Sequence, residues 1–234
     1  MFVADYFSLT ENQYSFSKQQ GSDFAKRIAG DFNPLHDPDN KRFCIPGDLL
    51  FSLTLAEHGV SQQMTFNFQG MVSGESQLHF NTSDEQIELI NERDKNVLTA
   101  SRSGEINQDQ QFIEALTRSY VAFSGKTFPH IILALMKEED AMVNPEKPMV
   151  IYDQMSLNLE RFSESAPEVD LTNSTFDVNG KRGMVTMYFD IKADGELIGR
   201  GEKQIIMSGL RPYDEANAEI MVVNYDKSRA AYSE

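Results

Sequence analysis

The sequence predicts an α+β fold built from two repeats, each an antiparallel sheet around a buried helix. Three observations predict it. Residues 46–59 hold Leu49, Leu50, Phe51, Leu53, Leu55 and Ala56, an apolar set that runs nearly all the way round a helix and so marks a buried one. Strand-like segments follow at 71–80, 86–93, 97–106 and 112–123, with the turn-forming Asp94-Lys95-Asn96 between the second and third. The order then recurs: Phe128-Pro129-His130-Ile131-Ile132-Leu133 opens an apolar helix much as Ile45-Pro46-Gly47-Asp48-Leu49-Leu50 does. Strands are predicted after it at 155–162, 174–178, 183–192 and 197–208, with Asn179-Gly180 and Asp194-Gly195 as hairpin turns. The chain of 234 residues with 40% hydrophobic content suffices for one large core or two of about 110 residues. Two repeats fit the pattern, residues 1–125 and 126–234.

Ahead of the first buried helix, Ser17 and Gln20 are spaced as a capping box. Phe24, Ala25 and Ile28 give that helix an apolar stripe, and Gly30 suits its exit. The next residues are Asp31-Phe32-Asn33-Pro34-Leu35-His36. Proline forbids further helix and biases Asn33 to an extended backbone, so a carboxylate, an amide and an imidazole share one ordered turn. Asp31 and His36 are the two adjacent titratable groups that general acid/base chemistry requires. The same residues also suit a purely local turn, in which Asp31 caps backbone N–H groups. Pro46 and Gly47 open the buried helix, where unpaired N–H groups and the positive dipole end favour an anion or a polarised carbonyl.

Phe24-Ala25, Gly30 to His36, the short loop to Pro46-Gly47 and the apolar helix together resemble the MaoC-like (R)-specific enoyl-CoA hydratases, which have the hot-dog fold. The resemblance covers roughly residues 14 to 60 well and the later strands only loosely. It implies a double hot-dog that adds water to a trans-2-enoyl thioester of coenzyme A or acyl carrier protein, with Asp31 and His36 as the catalytic pair. Asn33 would orient them, and the Gly47 amide would receive the thioester carbonyl. No cofactor is implied beyond the carrier that forms part of the substrate. The chain departs from the family in having Pro46 where histidine usually precedes that glycine, and in placing Asp48 just after it. The departures keep open a non-catalytic acyl-thioester-binding or assembly protein, and the resemblance to hot-dog proteins also leaves their other common activity, an acyl-CoA thioesterase with Asp31 as base.

The second repeat has no equivalent acid/base turn, since 125–129 is too short to carry one. It is expected to serve as scaffold and tunnel wall. The connector 144–148 reads as an exposed loop, and the polar stretch from Pro212 onward, apart from Ile220-Met221-Val222-Val223, has no assigned role.

A formal charge of −15 repels polyanions, and no basic run interleaved with aromatics makes a local exception, so nucleic acid is excluded as an expected partner. An anionic thioester carrier therefore needs a local basic patch. Lys26, Arg27, Lys41 and Arg42 flank the turn and are candidates. With no long apolar window and neither a basic leader nor a hydrophobic signal core at the N-terminus, the expectation is a soluble cytoplasmic protein without membrane insertion. The one cysteine, Cys44, agrees with a reducing compartment and reads as a small buried residue. His58, His79 and His130 read as local hydrogen-bonders, and no metal site is expected. An unpaired sheet edge would allow a homodimer.

Overall fold

The computed structural model describes residues 1–233. A turn at Phe2–Tyr6 leads into a short hairpin, β1 (Ser8–Thr10) and β2 (Gln13–Ser15). Helix α1 (Lys18–Asp23) starts on the expected capping box: the Gln20 N–H donates to Ser17 Oγ at 3.1 Å and the Ser17 N–H donates to Gln20 Oε1 at 2.9 Å. The chain continues as a wider π-helical segment, Phe24–Ala29, and leaves it at Gly30 with φ +68°. That left-handed exit is where glycine avoids the Cβ clash.

Helix α2 (Gly47–His58) is buried from Asp48 to Leu55, as its all-round apolar composition requires. The strands β3 (Val60–Phe68), β4 (Gln77–Thr82), β5 (Gln86–Asn91) and β6 (Asn96–Asn107) follow. The segment 71–76, expected as the start of a strand, is loop instead, and the Val72 carbonyl accepts the Ile45 N–H at 2.7 Å. That bond ties the loop to the approach of α2.

The clearest departure from the sequence reading is at 112–123, which is not a strand. It lies in helix α3 (Gln110–Gly125), capped by Asp109, whose carboxylate accepts the Phe112 N–H at 2.7 Å. Phe112, Ile113, Leu116, Tyr120 and Val121 are all buried. Their spacing is that of a helix face, and the period prevails over the strand preference of the individual side chains. The apolar helix expected from Phe128 is correspondingly short. Phe128 itself is extended (φ −111°, ψ 141°), and regular helix resumes only as α4 (Ile132–Glu138).

After β7 (Ala141–Met142) come three long strands, β8 (Met149–Leu159), β9 (Glu168–Asn179) and β10 (Arg182–Ala193), then β11 (Glu196–Ser208). Asp194 and Gly195 both take positive φ, 52° and 77°, at the β10–β11 turn, the geometry of the tight hairpin their sequence signals. A two-residue β12 (Arg211–Pro212) pairs with β7, and helix α5 (Glu215–Ser233) ends the described chain.

Ten strands form one antiparallel sheet in the order β1-β2-β4-β5-β6-β3-β8-β11-β10-β9. Its two halves meet where β3 pairs with β8, from Gln63↔Asn158 to Asn67↔Gln154. Read outward from that seam, β3-β6-β5-β4 and β8-β11-β10-β9 have the same order. The core lies between sheet and helices. A chain of rings joins Phe66 on β3 to Phe51 on α2 (5.0 Å), Phe51 to Tyr120 on α3 (4.8 Å) and Tyr120 to Phe189 on β10 (5.6 Å). Such contacts add about 0.5–1.5 kcal/mol each beyond area burial, and here they bind both halves of the sheet to one helical layer.

Candidate active site

The turn after Gly30 is held by hydrogen bonds within itself and to the segments on either side of it. Asp31 donates its N–H to the Ala25 carbonyl (2.8 Å) and accepts the Asn33 N–H on Oδ1 (2.8 Å). Asn33 in turn accepts the Leu35 N–H on its side-chain oxygen (3.1 Å), capping the 3₁₀ turn Pro34–His36. His36 Nδ1 donates to the Cys44 carbonyl at 2.9 Å, which fixes the ring with Nε2 facing Asp31 Oδ2 at 3.7 Å. Asn33 thus shapes the backbone that carries His36 rather than touching the imidazole.

Burial works against a charged imidazole here, but hydrogen bonding to Cys44 and the nearby Asp31 carboxylate outweigh it and hold the His36 pKa up at about 9. At neutral pH the pair is therefore an imidazolium facing a carboxylate, with a proton to give on one side and a base on the other.

Asp31, Asn33, His36 and Gly47 all line one cavity of about 350 Å³. Apolar side chains from every layer close it, among them Leu50, Phe68, Phe128, Ile132, Val150 and Ile205. Gly47 is the first residue of α2, with Pro46 before it. A Cβ at 47 would stand 3.0 Å from the Tyr152 ring and 3.1 Å from Phe68, so any side chain there would intrude on the cavity wall.

The other polar wall was not foreseen from the sequence. Asp48 is buried beside Gly47, and its Oδ2 accepts the Ser124 hydroxyl at 2.6 Å, while Oδ1 has no hydrogen-bond partner. Lys203 on β11, 5% exposed, donates to Ser124 Oγ and lies 4.2 Å from the centre of the Tyr152 ring. The Tyr152 hydroxyl is bonded to that of Tyr120. Burial raises the Asp48 pKa against the pull of Lys203, and burial lowers that of Lys203 against Asp48 and Asp31. One signal was available: Lys203 alternates with Ile205 and Met207 on the inward face of its strand, so a lysine stands where the pattern asks for an apolar residue.

The polar C-terminal stretch also has a place. Tyr225 on α5 donates to the Gly30 carbonyl at 3.0 Å and accepts the Phe32 N–H at 3.5 Å, while Tyr232 meets Asp23 and Arg27. Lys26 pairs with Asp37 at 2.7 Å and Arg27 bonds the Tyr232 hydroxyl at 2.7 Å. Of the four flanking basic residues, Lys26 is half-buried, while Arg27, Lys41 and Arg42 are exposed.

The remaining histidines stand outside the cavity. His58 packs edge-on against Phe80 at 4.5 Å, His79 lies on β4, and His130 is exposed. Cys44 is half-buried and lines the cavity. Among the described residues no group of three or more His, Cys, Asp or Glu could hold a metal ion, and no helix is long and apolar enough to cross a membrane.

The repeated strand order and the helices buried against one antiparallel sheet fit the α+β hot-dog class. The chain belongs to the family described as "Protein of unknown function (DUF3581)", which matches residues 1–216. No curated protein matches the chain. Similar solved structures include a conserved protein of unknown function with hot dog fold from Alicyclobacillus acidocaldarius (10% identity, 91% of this chain and 99% of that one, TM-score 0.49). An acyl-CoA thioesterase II from Mycobacterium marinum (10%, 92% and 100%, 0.43) and a MaoC-like dehydratase (10%, 86% and 97%, 0.44) are also similar.

Proposed function

We propose that the chain is a MaoC-like hydratase of trans-2-enoyl thioesters, built as a double hot-dog with repeats over 1–125 and 126–234. The observation that carries this reading is the Asp31–His36 pair, 3.7 Å apart in the wall of a largely apolar cavity. Asp31 Oδ2 takes a proton from water as the water oxygen bonds the β-carbon. His36, charged at neutral pH, delivers the Nε2 proton to the α-carbon as the double bond is consumed. The Gly47 N–H receives the carbonyl, on which negative charge develops. Proton transfer from Asp31 to His36 restores the pair. Coenzyme A or acyl carrier protein enters only as part of the substrate, with Lys41 and Arg42 as candidate contacts for its phosphates.

A second reading, acyl-thioester binding without turnover, is favoured by Pro46, which removes one N–H donor at the start of α2, and by Asp48 beside the carbonyl site. The test is the loss of enoyl-thioester absorbance with crotonyl-CoA and longer trans-2-enoyl-CoAs, with free thiol followed in parallel. Hydration is expected without thiol release, and Asp31→Asn should lower it by about 10²–10⁴. Thiol release would replace the hydratase by a thioesterase, and binding without turnover would establish the second reading.

A further inference from the structure

The buried line Lys203–Ser124–Asp48 takes no part in the hydration steps, yet it reaches the residue next to the carbonyl site. A lysine and an aspartate removed from water are costly to keep unless each compensates the other. Here a serine hydroxyl connects them, from the end of α3. Lys203 also packs against the Tyr152 ring, and that ring lies against Gly47. The cluster is thus fastened to the first turn of α2 twice, through Ser124 to the Asp48 side chain and through Tyr152 to the Gly47 backbone.

Position gives this arrangement its consequence. The start of a helix offers a partial positive charge to a carbonyl oxygen, and an uncompensated carboxylate at its second residue would cancel that field. We propose that Lys203, acting through Ser124, holds Asp48 as a charge-balanced carboxylate and thereby keeps the first turn of α2 receptive to the carbonyl of an acyl thioester. Lys203 is then a positioning residue, and its effect on turnover rests on the acyl-thioester reading given above. The departure at Asp48 becomes one half of a balanced pair whose other half comes from the opposite end of the chain.

The groups facing Asp48 are Ser124 and Tyr120 from α3, Lys203 from β11, Tyr152 from β8, and Asp31 and His36 from the acid/base turn. Removing the lysine takes away the charge that most strongly holds off the Asp48 proton, so Asp48 should take up a proton at a higher pH.

The experiment compares wild type, Lys203→Met, Asp48→Asn and the double variant. Infrared difference spectra across pH, with the Asp48 carboxyl band assigned by its loss in Asp48→Asn, read the charge state without any substrate. Lys203→Met is expected to raise the Asp48 midpoint by about one pH unit or more, which is tenfold in proton affinity. An unchanged midpoint overturns the proposal. With crotonyl-CoA, at a pH above the raised midpoint, where Asp48 in Lys203→Met is an unpaired carboxylate, the variant is expected to lower kcat about tenfold or more with little change in KM, and adding Asp48→Asn is expected to recover most of the loss. A double variant no better than Lys203→Met overturns it as well. If Lys203→Met does not fold, comparing Asp48→Asn with the double variant still decides: the lysine should matter less once residue 48 is neutral. A wild-type protein inert toward enoyl thioesters would defeat the acyl-thioester reading, while the infrared titration would still decide whether Lys203 governs Asp48.

Discussion

His36 keeps its proton well into the alkaline range because Cys44 and Asp31 hold the charged form against burial. In an unfolded chain a histidine titrates near ~6.5. The folded value lies above the unfolded one, so the stabilisation is fully present below about 6.5 and is lost as pH rises through about 9. Thermal melts of wild type should therefore fall across that window more steeply than melts of His36→Gln, and parallel curves would refute the assignment. The same proton serves as the acid of the proposed hydration, so kcat/KM should decline above pH about 9. Lys203 makes a second prediction at this scale. Breaking a buried pair by removing one partner costs about 3–5 kcal/mol, and Lys203→Met should show a loss of that order in urea denaturation. Asp31, Asn33, Pro34 and His36 were legible as a unit because Asp31 and Asn33 each accept a backbone N–H two residues on, bonds written within six consecutive residues. Ser124 and Lys203 were not, because they meet Asp48 only through the packing of α3 and β11.

Among the elements, α3 shows how a period outweighs propensity. Phe112, Ile113, Tyr120, Val121 and Phe123 each favour strands, but the buried positions recur at helical spacing and Asp109 supplies the cap. Its C-terminal end lies so close to the π-helical segment that a Cβ at Gly125 would stand 1.9 Å from the Ala29 carbonyl oxygen. Because that contact is with backbone, Gly125→Ala must displace the segment leading into the acid/base turn. A destabilisation of about 1–3 kcal/mol is expected, together with slower turnover in the proposed hydration, and an unaffected melt would contradict the close approach. Helix α5 acts on the same turn from outside, through the Tyr225 hydroxyl between Gly30 and Phe32. Tyr225→Phe should cost about 1 kcal/mol, and faster amide exchange at residues 31–36 should accompany it. The polar sequence of α5 concealed this role, since its two tyrosines, by hydroxyl and by ring contact with Phe32, reach the turn from a largely exposed helix.

For the molecule as a whole, the β3–β8 seam and the ring chain from Phe66 to Phe189 tie both halves into one structure. Calorimetric unfolding should accordingly be a single transition with matching calorimetric and van't Hoff enthalpies, whereas two resolved transitions would show that the halves are independent. A net charge of −15 adds self-repulsion that salt screens over about 8 Å at 0.15 M, so the melting temperature should rise between low salt and that concentration. The sequence by itself determined what depends on neighbours along the chain: the capping box, the glycine exit, the turn from Asp31 to His36, the buried character of α2 and the β10–β11 hairpin. Tertiary structure alone decided that α3 packs against the second half of the sheet, that α5 braces the turn, and that Lys203 and Ser124 complete the cavity wall beside Asp48. The reason is physical. Local hydrogen bonds and periodicity are written over a few residues, whereas the pairing of buried charges depends on which distant segments the sheet brings together.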